Sequence, residues 1–289
     1  MKQITFPQAG ILSGVASMLE CLGVDTEDHT IALAMEAPYL FIHEEGQYST
    51  GCALYHPKWL NPYLHSLGFH MSERHISSDA VPSLLRSLTT AMLPVKITRK
   101  PAHPIVFTGY SNGRYNFSNI KHSSSSEPDH FSFSTTMLKR RLDAEVSLFI
   151  LEPCKPERFD YIPLLFSSLS TLEHYRSELL HVRSLEISRA ELETLDKPLF
   201  RAFMRNLRPM AALIEDWPLV EELSLLEHDY RHVFTHNSPD IQPLWEYLPH
   251  RSIENCLAWQ RENIIDRLYE LGADEELLES IAYPHCKTE

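Results

Sequence analysis

Apolar residues recur at helical spacing from the start of the chain. Ile11, Val15, Met18, Leu19 and Leu22 share one face of a helix predicted over 11–22, with Gly23 placed to cap it. A second helix is expected from His29 to Glu36, stopped by Pro38, and residues 53–68 read as a helix interrupted by prolines. Residues 79–90 predict another, with Asp79 as N-cap and Pro82 in the first turn. The period then changes. PVKIT (94–98), HPIVFTGY (103–110), RYNFSNI (114–120), HFSFS (130–134) and SLFILE (147–152) are short segments rich in β-branched or aromatic residues. Asn112-Gly113 between the second and third is a two-residue hairpin signal. Helices thus lead into an antiparallel sheet, with KHSSSSEP (121–128) a polar surface loop.

From Asp160 the pattern is helical. Ser188-Arg189-Ala190-Glu191 has the form of a capping box. Ile253, Leu257, Gln260, Ile264, Ile265, Leu268 and Leu271 trace one face of a helix ended by Gly272, and Asp274 caps a final helix running through Ile281. Pro198, Pro209, Pro218 and Pro243 divide the region into about five or six helices, and no fixed-period repeat points to a solenoid. The fold class that follows is α+β, with an α+β domain over 1–152 and an all-α helical bundle over 160–289.

Composition narrows the function classes. With 43% hydrophobic residues among 289, the chain buries enough apolar surface to offset the entropy of ordering, which excludes disorder. No uncharged apolar run approaches the roughly 18 to 20 residues a bilayer span needs. The N-terminus has one lysine and a broken apolar stretch, so neither a membrane nor a signal peptide is expected. Cys21, Cys52, Cys154, Cys256 and Cys286 are odd in number and form no CxxC pair, which suits reduced thiols and a cytoplasmic location. The net charge of −13 argues against nucleic acid as a partner. That charge is uneven: 12 Lys+Arg face 13 Asp+Glu in residues 1–150, and 14 face 26 in residues 151–289. Eight of the nine glycines fall at or before Gly113, which again separates a turn-rich first part from a helical second part.

One constellation carries candidate chemistry. His103 heads the first strand of the Asn112-Gly113 hairpin and Asn119 closes the second, so the fold of the hairpin brings them near each other. An Asn beside a His can hold one ring tautomer, the orienting role in Cys-His-Asn sites.

The order of QAGILSGVASMLECLGVD, HTIALAMEAPYLF and HPIVFTGYSNGRYNFSN resembles the papain-like fold of the double-glycine bacteriocin-leader peptidases. It is similar also to the N-terminal domain of the butirosin-biosynthesis acyltransferase family, which carries a helical C-terminal domain. The resemblance spans about residues 6–152 by motif order and the rest by architecture. It implies a base, His103, and its orienter, Asn119. In those families a Cys opens the first helix, where the helix dipole favours a thiolate. Here Gly10 stands at that position, Ser13 follows three residues later, and Cys21 sits at the unfavourable C-terminal end. The family's upstream glutamine corresponds to Gln3 or Gln8, which with Gly10 gives the candidate binding positions.

Ser13 and Cys52 are the alternative nucleophiles, Cys52 because it opens a helical segment after Gly51. His228, His232 and His236 are four apart on one helical face; three such rings span about 12 Å and cannot share one ion, whereas two could with a carboxylate from elsewhere, and a polar helix face is the expected reading. No metal and no cofactor are expected. Glu215, Asp216, Glu221, Glu222 and Glu227 form an acidic run. Three functions remain open: transfer of an acyl group to an amine, from a partner such as an acyl-thioester donor; a catalytically inactive papain-like domain binding a peptide or small molecule; and a peptidase using Ser13 or Cys52.

Overall fold

Gly23 ends the first helix through the left-handed conformation that its φ of 86° requires. Its N–H donates to the Glu20 carbonyl at 3.0 Å, and the Val24 N–H to that of Leu19 at 2.9 Å. In this computed structural model the described residues are 10–54, 56–97, 102–119, 129–183, 188, 190–191, 194, 202–235, 250–275 and 277–278. The helices of the first half are α1 (Gly10–Cys21), α2 (Asp28–Ala34), α3 (Pro57–Ser66), α4 (Val81–Leu85) and α5 (Thr135–Arg141). Its strands are β1 (Phe41–Glu44), β2 (Gln47–Thr50), β3 (Phe69–Ser77), β4 (Ala91–Val95), β5 (His103–Ser111), β6 (Arg114–Asn119), β7 (His130–Phe133) and β8 (Glu145–Pro153). The second half contains α6 (Ile162–Arg183), α7 (Ala202–Leu213), α8 (Trp217–Thr235) and α9 (His250–Glu270).

The fold is α+β, and the chain divides into two compact units. One takes the chain to Met35 and from Tyr55 to Phe159; the other takes Glu36–Leu54 and everything from Asp160.

In the first unit six strands pair antiparallel in the order β3-β8-β4-β5-β6-β7. One side of the sheet carries Leu93, Val95, Ile105, Phe107, Tyr115, Phe117, Val146, Leu148 and Ile150, packed with Val81 and Leu85 of α4 and Leu138 of α5. Alternation turns Met92, Val106 and Ser118 to the other side. There α1 lies over β4 and β5, with Leu12, Val15, Met18 and Leu19 fully buried. Helix α4 is shorter than the 79–90 the pattern predicts. The Ser87 hydroxyl donates to the Leu84 carbonyl at 2.7 Å, offering the backbone a local alternative before β4 begins. Two elements went unpredicted here. Of β3 only Met71 is buried, so it lacks an apolar alternation, and α5 is announced only by its N-cap, Ser134, which accepts from the Met137 N–H at 3.3 Å.

The second unit holds the β1–β2 hairpin. Glu45 and Gly46 have φ of 51° and 70°, a two-residue connection that suits the right-handed strand twist. The hairpin packs against α6 and α7. At Gly51, φ is +53° and an added Cβ would stand 2.2 Å from the Asn206 carbonyl oxygen, so no side chain fits. The Phe41 N–H donates to Ser168 Oγ at 3.0 Å, and the Tyr48 hydroxyl to Glu178 Oε2 at 2.8 Å. Helix α9 buries Leu257, Gln260, Ile264, Ile265 and Leu268, the face the sequence predicts, and Gln260 Nε2 donates to the Pro38 carbonyl at 2.9 Å. Ser188 and Glu191 make the reciprocal bonds of a capping box. Among the described residues from 160 onward there is no strand.

Candidate functional site

The β5–β6 hairpin turns at Asn112 and Gly113, whose φ angles of 50° and 74° fit the predicted two-residue turn. A bulge between Phe107 and Gly109 then shifts the register, and Gly109 adopts a φ of 139° there. As a result His103 stands opposite Val95 on β4, while Asn119 stands opposite Ile105. His103 and Asn119 are therefore diagonal neighbours on one side of the sheet, about 7 to 8 Å apart at their Cβ atoms. Both are half-buried, and among the described residues no hydrogen bond joins their side chains. The Asn119 N–H donates to the Asp129 carbonyl at 2.8 Å, which fixes the end of β6. By strand alternation this pair shares the side of Ile105 and Phe117, and α1 covers the other.

Gly10 opens α1, as the sequence reading placed it, and a Cβ added there meets no described atom within 4 Å. Ser13 is fully buried, and its hydroxyl donates to Asp28 Oδ2 at 2.8 Å. The bond ties α1 to α2, and the burial of both side chains holds the hydroxyl away from a substrate. The structure thus gives Ser13 a structural hydrogen bond to Asp28 and none to His103. Ser17 satisfies its own hydroxyl on the Ser13 carbonyl at 2.9 Å. Cys21 is exposed at the far end of α1; desolvation raises its thiol above the ordinary value, against a hydrogen bond from Thr90. Gln3, Gln8 and the Cys52 side chain lie outside the described residues, as do His236 and the side chain of His232. His228 is exposed, and no group of three or more His, Cys, Asp or Glu among the described residues is arranged to hold a metal.

Two contacts in this region escaped the sequence reading. Asp28 as the partner of Ser13 has no motif, because a 15-residue separation carries no local signal. Ser118 and His130 meet across β6 and β7 at 2.8 Å, on the side of the sheet that α1 covers, but Ser118 is 2% exposed and its hydroxyl offers nothing to a substrate. Only the pairing of those two strands across residues 120–129 reveals it.

No family model matches the chain, and no curated protein matches it. Among solved structures it is similar to the peptidase domain of Streptococcus ComA, a bi-functional ABC transporter involved in a quorum-sensing pathway. The TM-score is 0.33 at 15% identity, with 53% of this chain and 96% of that chain covered. No helix among the described residues is long and apolar enough to cross a membrane.

Proposed function

We propose that the first unit is a papain-like domain without a nucleophile, and that it binds a peptide or small molecule rather than cleaving one. The observation that carries this reading is the opening of α1: Gly10 stands where a thiol is expected, and the nearest hydroxyl, Ser13, is buried and bonded to Asp28. The element order supports the papain-like part, since a buried helix precedes an antiparallel sheet in which His103 begins one strand and Asn119 ends its neighbour. An uncharged serine hydroxyl reacts only with a base in contact. Ser13 is fully buried with its hydroxyl bonded to Asp28, out of reach of a substrate, and by register His103 belongs to the other side of the sheet.

A second reading is favoured by His103 and Asn119 sharing one side of the sheet. His103 would then deprotonate an amine that attacks an acyl thioester directly: the N–C bond forms, the C–S bond breaks, and the thiol leaves with the proton. One experiment separates the two. The purified chain is incubated with an internally quenched peptide containing a Gly-Gly junction, and separately with an N-acetylcysteamine thioester and a primary amine. The expected result is saturable peptide binding, seen by anisotropy, with no cleavage and no amide. Amide formation lost in His103→Ala would replace this reading with acyl transfer. Peptide cleavage, or no binding at all, would overturn it.

A further inference from the structure

The N-terminal half of α8 presents Trp217, Pro218, Glu221, Glu222 and Leu225 along one face, at i, i+4 and i+7 spacings, and α9 brings Trp259 up to it. Together they line a cavity of about 450 Å³ within the second unit. Trp217 is 61% exposed and Leu225 54% exposed, so an indole and a branched apolar side chain are both held toward water at its rim. Glu222 Oε2 is buried and has no hydrogen-bond partner among the described residues. Among the described residues, no lysine or arginine lines the cavity. Asp216 adds a third carboxylate beside Glu221 and Glu222. Asp216 caps α8, accepting from the Leu219 N–H at 3.1 Å, and its other oxygen accepts from Asn263 at 2.7 Å. Below them the Cys256 thiol is pushed up to about 12, chiefly by burial and further by Glu222 and Asp216.

We propose that this cavity binds a small organic cation, an ammonium group on an apolar stem. Each wall supports one part of that ligand. Indole faces attract a cation through the ring quadrupole, and more strongly once it is desolvated. Glu222 and Glu221 line the cavity and supply the carboxylates that an ammonium N–H pairs with. Pro218 and Leu225 give the stem an apolar surface. An anion would meet only carboxylates and indole faces, and a neutral alcohol would gain the apolar contact without the charge. The site belongs to the second unit, and it stands or falls independently of the function proposed for the first.

The test is calorimetric titration of the full chain with n-butylammonium and with 1-butanol, which has the same number of heavy atoms and no charge. Butylammonium is expected to bind at least tenfold more tightly, and to weaken as salt is added. Trp217→Ala is expected to weaken it by roughly threefold to thirtyfold, the range of a desolvated cation–π contact. Glu222→Gln, nearly isosteric, is expected to do the same while leaving 1-butanol unaffected. Leu225→Lys keeps both indoles, sits at an exposed position and places a cation at the rim, so it should abolish butylammonium binding with the unfolding midpoint unchanged. Equal affinity for cation and alcohol, or no binding of butylammonium at millimolar concentration, overturns the proposal.

Discussion

Replacing Ser13 with alanine distinguishes a structural hydroxyl from a catalytic one. Ser13 and Asp28 are both fully buried, joined by the 2.8 Å bond that links α1 to α2, while the second Asp28 oxygen accepts from the His29 N–H at 2.8 Å. Alanine removes the hydroxyl donor from one oxygen of a buried acidic group. Losing a partner in that way costs about 1–3 kcal/mol, in the upper half of the range for a charged acceptor. The better helix propensity of alanine returns about 0.5 kcal/mol, for a net loss of roughly 1.5–2.5 kcal/mol. In a unit of this size that lowers the thermal midpoint by roughly 4–12 °C. The assay is urea unfolding followed by circular dichroism, with peptide binding measured on the folded variant. The expected outcome is a lower midpoint and unchanged affinity. In a double-mutant cycle with Asp28→Ala, the two substitutions should be less than additive, because either alone breaks the same bond. An unchanged midpoint together with loss of a measurable turnover would refute the reasoning and restore Ser13 as a nucleophile.

Two further outcomes follow from the same geometry. Gly10→Cys has room for its side chain, and a thiol at a helix N-terminus titrates below its ordinary value, at about 7.5 or lower. Its iodoacetamide reaction, read by mass spectrometry against pH, should therefore reach half-maximal rate below that of Cys21, whose thiol is raised; an inflection at or above the Cys21 value contradicts this placement of α1. Arg267 donates to both oxygens of the buried Glu36, at 2.6 and 2.7 Å, so Arg267→Ala is expected to cost the second unit about 2–4 kcal/mol and Arg267→Lys to restore only part of it. Denaturant titration checks this, and a full rescue by lysine would show that charge alone, without the paired geometry, holds the contact.

What the sequence made readable was whatever periodicity or capping chemistry encodes locally. Helix α1 with Gly23, the Asn112-Gly113 turn, the Ser188–Glu191 capping box and the buried face of α9 all appear where the pattern puts them. The elements that escaped are those whose pattern is written by tertiary neighbours. Strand β3 is an edge strand with a polar run, His70 to Ser77, held by its full-length pairing to β8. The β1–β2 hairpin is four residues a side, and its buried Phe41 and Tyr48 find Tyr175 of α6 more than 120 residues later. For the same reason residues 36–54 group with the helices and not with the chain on either side of them, a division that no composition shift announces.

The candidate pair shows how a single residue governs what a sequence motif means. Counted regularly back from the Asn112-Gly113 turn, the pairs Ser111–Arg114, Tyr110–Tyr115 and Gly109–Asn116 would continue to place Asn119 opposite Val106. A residue opposite Val106 faces α1, whereas His103, two positions before Ile105, faces away from it, so the regular hairpin would put the two side chains on opposite sides of the sheet. The bulge at Gly109 removes that conflict: Thr108 drops out of the pairing, Phe107 meets Phe117, and Asn119 arrives opposite Ile105 on the same side as His103. Glycine is what permits it, since a φ of 139° is closed to other side chains without strain. The same step that brings His103 and Asn119 onto one side also takes them off the side that α1 covers. The side chains that could act together and the opening of α1 are thus separated by the thickness of the sheet, which is why we propose a binding domain rather than a protease.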